Sequence, residues 1–170
     1  MTLALRSATA GDAELLARHR AAVWEEVGDW DRAAMAAQVP VWTAYFRRAL
    51  AERTYLACVA LDEQQIVGSG AILVHATLPR PQSDSDRSGR VQSVYVVPHA
   101  RRRGIARAIM ERLLAYARGE RLISLTLHPS DEARALYASL GFTAADEMRL
   151  SLLPDASPQR PPASGRRSAR

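Results

Sequence analysis

Apolar and polar positions alternate along the first 153 residues in two kinds of run, one at strand period and one at helix period. Leu3 to Ala8 predicts a strand. TAGDAELLARHRAAVWEEVG then predicts a helix with Leu15, Leu16, His19, Val23 and Val27 on one stripe, and with Thr9 and Asp12 spaced as a capping box. Asp31 to Leu50 predicts further helix, interrupted near Pro40, where the missing backbone donor breaks the ladder. TYLACVALDEQQIVGSGAILVH predicts an antiparallel pair around a polar DEQQ turn, with Gly68 and Gly70 marking a bulge or the close approach of another backbone.

Ala76 to Arg90 is polar, holds two prolines and reads as a long surface loop. A strand at Val91 to Val97 and a helix from about Ile105 to Arg118 follow, with Ile105, Ile109, Leu113 and Tyr116 facing a sheet. The pattern repeats once: a strand at Leu122 to Leu127, then a helix capped by Ser130, led by Asp131 and Glu132 and stopped by Gly141. A last strand near Glu147 to Leu152 would offer an edge on which two copies pair as a homodimer.

The 170 residues fit one domain, at 1–153, and 48% hydrophobic content supplies a core. Residues 154–170, rich in Pro, Ser and Ala, read as a disordered basic tail. All 23 basic residues are arginine, a compositional bias that weakens any argument from arginine alone. The net charge of +5 is also uneven, since the tail holds four arginines against one aspartate. That tail lacks the interleaved aromatics that stack on bases, so nucleic acid is not the expected partner. Cys58, the single cysteine, reads as a buried thiol with no bridge to make. MTLALRSATA is too short an apolar stretch for a signal peptide and no run is long enough to span a bilayer, which predicts a cytoplasmic protein without a membrane partner.

The chemistry concentrates in VQSVYVVPHARRRGIARAIMERLLAYA, where a strand passes through RRRGIA into a helix. At a helix's first turn the amides lack carbonyl partners and the dipole's positive end faces outward, which suits an anion. Gly104 lets that backbone come close, and Arg101, Arg102 and Arg103 add charge at the mouth. This segment, followed by LHPSDEARALYASLGF, resembles the GNAT superfamily of acyl-CoA-dependent N-acyltransferases over roughly Val91 to Phe142. Arg101, Gly104 and Ala106 fill its pyrophosphate motif.

The resemblance implies an α/β (α+β) fold, a central mixed, mostly antiparallel twisted sheet of six to seven strands flanked by about four helices. It implies acetyl-CoA as co-substrate, with no metal. Backbone amides of Arg102, Arg103, Gly104, Ile105, Ala106 and Arg107 would hold the pyrophosphate. Val94, Tyr95 and Val96 would pair with the pantetheine arm, and an N–H near Val96 would bond the acyl carbonyl as negative charge develops there. By pattern alone Tyr137 reads as a packing aromatic beside Leu136 and Leu140; the resemblance makes it the acid that protonates the departing thiolate.

Two positions depart from the family pattern. Ser130 stands where an asparagine often contacts the cofactor, and Leu125 stands where several members carry a glutamate base. His128, Glu25, Glu26 and Asp29 are the alternative bases, the first with a suitable intrinsic pKa but also readable as a loop residue. The acceptor walls would be HRAAVWEEVGDW and LPRPQSDSDRSGR, with Trp24 and Trp30 lining a pocket or simply packing. Glu25, Glu26 and Asp29 would favour a cationic amine. The activity so implied is transfer of an acetyl group from acetyl-CoA to a primary amine, small molecule or peptide, by direct attack in a ternary complex. The alternative is an acyl-CoA-binding module that has lost catalysis, for which Leu125 is the argument.

Overall fold

A computed structural model of the chain describes residues 2–28 and 30–152. The expected tail at 154–170 and the candidate base Asp29 lie outside the described residues. The elements run β1 (Leu3–Ser7), α1 (Ala13–Gly28), α2 (Arg32–Ala51), β2 (Tyr55–Asp62), β3 (Gln65–Ala76), β4 (Arg87–Val96), α3 (Ile105–Gly119), β5 (Leu125–Thr126) and α4 (Arg134–Ser139). One sheet holds all five strands in sequence order, antiparallel throughout except for the parallel pair β4–β5.

The chain enters α1 through a short 3-10 turn, and there Asp12 reaches back to accept the Thr9 N–H at 2.8 Å, as the capping-box spacing predicts. Arg6 holds the same carboxylate and, as the largest influence, lowers its pKa to about 2. α1 and α2 cover one face of the sheet, where Leu16, Ala17, Phe46 and Ala49 pack on Tyr55, Ala57 and Ala71. On the other face α3 packs Ile105, Ile109, Met110 and Leu113 on Cys58, Ala60, Ile72 and Val91. Covered on both sides, β2 is a nearly continuous apolar run. Cys58 is a fully buried thiol, pushed up to about 12 by burial.

Four expectations change. α2 runs unbroken through Pro40, whose exposed position forfeits one hydrogen bond while Met35, Phe46 and Ala49 anchor the helix on either side. The surface loop shortens to residues 77–86 because β4 begins at Arg87, four residues before the apolar run. Its first residues, RSGR, look polar yet Ser88 and Gly89 are buried under neighbours, Ser88 sharing a hydrogen bond with Ser124 at 3.2 Å. The strand expected at Leu122 to Leu127 contracts to two residues. Residues 143–152 form no strand, so the sheet has five strands among the described residues rather than six to seven, and the expected pairing edge is absent there.

Candidate active site

The short β5 shapes the site. It pairs β4 only at Gly89 and Arg90, so the rest of that edge of β4 has no neighbouring strand among the described residues. A bulge sharpens the divergence: Ser69 pairs Tyr95 and Ala71 pairs Gln92, so two residues, Ser93 and Val94, stand opposite Gly70 alone, with Ser93 in the left-handed region at φ 52°. The two glycines flagged in β3 are therefore tight packing points. A Cβ on Gly68 would lie 2.6 Å from the Tyr95 carbonyl oxygen, and one on Gly70 would lie 2.6 Å from Ile109.

Beyond the bulge, the Val97 N–H donates to Val67 O at 3.0 Å, toward β3. Successive residues alternate edges, so the Val96 N–H and C=O face the open side. The Val96 carbonyl accepts there from Arg101 Nε at 2.9 Å. At the head of α3, Gly104 is left-handed (φ 81°), with open space where a Cβ would stand. The first helical bond of α3 runs from the Ala108 N–H to Gly104 O at 3.1 Å, and the amides of Ile105, Ala106 and Arg107 donate to no described residue.

These pieces enclose one cavity of about 420 Å³, walled by Val23, Glu26 and Val27 of α1, by Val94–Val96 of β4, by the turn into α3, and by Ser130, Leu136 and Tyr137 near α4. Arg101, Arg102, Gly104, Ile105, Ala106 and Arg107 all line it; Arg103 turns away to pair with Asp62 at 2.9 Å. Arg101 is engaged as well, gripping Glu26 through both carboxylate oxygens at 2.7 and 2.8 Å, and this bond chiefly raises its pKa. The cradle thus rests on backbone amides with Arg102 and Arg107 at its rim. Arg107 reaches across to Ser139 of α4 at 2.6 Å.

Tyr137 stands half-buried in the cavity wall, edge-on to Phe142 at 5.9 Å between ring centroids. Burial raises its pKa, so the phenol keeps its proton at neutral pH. Its hydroxyl bonds to no described residue. Ser130 caps the turn at 131–133 without a side-chain capping bond and lines the cavity.

The remaining candidates separate. His128 is exposed and does not line the cavity. Glu25 lies outside it too, 3.4 Å from Arg32. Leu125 packs against the core beneath α3. Glu26 alone of the described candidate bases reaches the cavity wall. Trp24 and Trp30 meet edge to face at 5.5 Å.

Two features carry no sequence signal. His19, read as a stripe residue, is buried with Nδ1 2.7 Å from Ser69 Oγ and its ring 4.8 Å from Tyr95, and burial lowers its pKa to about 4. Arg20 sits one turn before Val23 and bonds Gln92 and Ser93 at the bulge. In a chain whose every cation is arginine, nothing sets Arg20 apart until the fold brings it to β4.

A family model described as the acetyltransferase (GNAT) family matches residues 18–142. Among solved structures, the chain is similar to a GCN5-related N-acetyltransferase from Ralstonia eutropha JMP134, at 27% identity over 89% of this chain and 99% of that one, with a TM-score of 0.79. A predicted acetyltransferase with acetyl-CoA from Clostridium acetobutylicum is 25% identical over 89% of this chain and 97% of that one, with a TM-score of 0.77. Glucosamine-6-phosphate N-acetyltransferase from Arabidopsis thaliana, at 14% identity over 89% and 98% of the two chains and a TM-score of 0.64, shares the fold. No curated protein matches the chain in sequence.

Proposed function

Because the chain belongs to the acetyltransferase (GNAT) family, we propose that it transfers an acetyl group from acetyl-CoA to a primary amine, with both bound at once. The observation that carries this reading is convergence: the open edge of β4, the unpartnered amides of α3 and the Tyr137 phenol all border one cavity. The site suits the co-substrate on two counts, the free amides at a helix start and the open space above Gly104. Acetyl-CoA would supply an activated thioester. Ile105, Ala106 and Arg107 would hold its pyrophosphate by their N–H groups, and the edge of β4 at Val94–Val96 would align the arm. The Val96 N–H faces the side where carbonyl charge would need a donor.

Two side chains divide the proton work. Glu26, on the opposite wall, takes the proton from the amine directly or through one water. Tyr137, kept protonated by burial, gives a proton to the leaving sulfur. The retained phenol in the wall favours a working enzyme over a binding module, since holding cofactor requires no acid there.

Mixing the protein with acetyl-CoA and a panel of primary amines should release coenzyme A, read with a thiol reagent. Tyr137→Phe should lower kcat by about 10²-fold and leave acetyl-CoA affinity within twofold by calorimetry. Release equal to wild type would remove Tyr137 from the mechanism; tight acetyl-CoA binding with no release for any amine would favour the binding module.

A further inference from the structure

Arg20 has no part in the chemistry above, and its surroundings are those of a prepared cation. The guanidinium is half-buried and lies over two indoles, 5.4 Å from the Trp24 ring centroid and 5.2 Å from that of Trp42. Nη1 donates to Gln92 Oε1 at 2.9 Å and to Ser93 Oγ at 3.2 Å. Both hydrogen bonds come from that one nitrogen, and Nε and Nη2 donate to no described residue.

Arg20 forms no ion pair with any described residue. The nearby α1 carboxylates are committed elsewhere, Glu25 to Arg32 at 3.4 Å and Glu26 to Arg101 at 2.7 Å. Burial lowers its pKa and no carboxylate offsets that effect. A cation taken partly out of water and left without a counter-ion is unfavourable unless something else supplies the charge. Here the indole faces and two neutral oxygens hold the group in one orientation, which removes much of the entropic cost of binding an anion.

Its position links it to the cavity. Arg20, Val23 and Val27 share one face of α1, and the latter two are cavity wall. Its partners Gln92 and Ser93 immediately precede Val94 on β4, so Ser93 stands roughly 7 Å along the strand from Tyr95 and roughly 10 Å from Val96. The planar pair of N–H groups matches the two oxygens of a carboxylate.

We propose that Arg20 anchors the acceptor, and that the acceptor is a primary amine carrying a carboxylate several bonds from the nucleophilic nitrogen. This rests on the transfer reading above and names the class of amine. It runs opposite to the cationic amine suggested by Glu25 and Glu26, because those charges are already neutralised while that of Arg20 is not.

The test compares coenzyme A release for matched primary amines that differ only in bearing a carboxylate, its carboxamide or a phosphoryl group, with acetyl-CoA affinity measured separately by calorimetry. The carboxylate member should have kcat/KM at least tenfold above its carboxamide, expressed in KM. Arg20→Met should erase that preference with acetyl-CoA affinity unchanged. Arg20→Lys, which keeps the charge but loses the fork, should retain part of it, and carries the test if the methionine variant loses acetyl-CoA affinity. Equal use of carboxylate and carboxamide, a preference that survives in Arg20→Met, or a phosphoryl member preferred over the carboxylate would overturn the proposal and leave acetyl transfer standing. No release from any member while acetyl-CoA binds would overturn both.

Discussion

At the scale of single residues, the choice of base separates what a sequence can rank from what only a fold can. Glu25 and Glu26 are adjacent and chemically identical, yet a helix turns neighbours about 100° apart, so one pairs with Arg32 and the other meets the cavity. No pattern in EEVG distinguishes them. Glu26→Gln should lower kcat by on the order of 10²-fold, whereas His128→Ala, exposed and off the cavity, should stay within twofold of wild type. Arg101→Gln breaks the same ion pair while keeping the carboxylate, so it separates loss of the proposed base from loss of a part-exposed ion pair worth about 1 kcal/mol or less. A large effect of His128→Ala with none of Glu26→Gln would reverse the assignment. Arg101 carries the same lesson: its spacing in RRRGIA is legible, but its choice of Glu26 over the mouth of the cradle depends on where α1 ends.

Among the elements, those with a full apolar face were legible and those defined by what they fail to pair with were not. The stripe Ile105, Ile109, Leu113 predicts α3, and the DEQQ turn predicts the β2–β3 hairpin. Leu122 to Leu127 is apolar at four of six positions yet only Leu125 and Thr126 pair with β4, because divergence from β4 is a property of the sheet and leaves no mark in that segment. Met148, Leu150 and Leu152 alternate as a strand should, but they are almost fully exposed and have no strand beside them. Gly68 ties the elements together, since its missing Cβ lets the bulged stretch of β4 approach β3. Gly68→Ala should destabilise the protein by about 1–3 kcal/mol in urea unfolding and weaken acetyl-CoA binding, because the oxygen that must give way belongs to the backbone between Val94 and Val96. Wild-type stability in this variant would show the bulge to be soft.

At the scale of the whole molecule, His19 and Asp12 both contribute acid sensitivity, in separate windows. His19, buried against Ser69 and Tyr95, titrates near 4 in the fold and near 6.5 when unfolded, so the unfolded chain binds the extra proton between those values. Stability is therefore full above about pH 6.5, falls by an amount of the order of 3 kcal/mol as pH drops toward 4, and is flat with respect to His19 below that. Asp12, held near 2 by Arg6, acts only below its ordinary value of 3.8. Chemical denaturation from pH 7 to pH 4.5 should show the His19 slope in wild type and a nearly level line in His19→Gln; equal slopes would assign the effect to other groups. Helices on both faces, two cores and a sheet in sequence order make most of the molecule self-supporting, with the divergence of β4 from β5 as the exception. There the edge of β4 is held from one side only, and under the proposed function this is the edge along which acetyl-CoA would lie. A molecule lodged in that gap would act as a temporary strand, so that under the proposed function the sheet would be completed, turnover by turnover, by the compound the enzyme consumes.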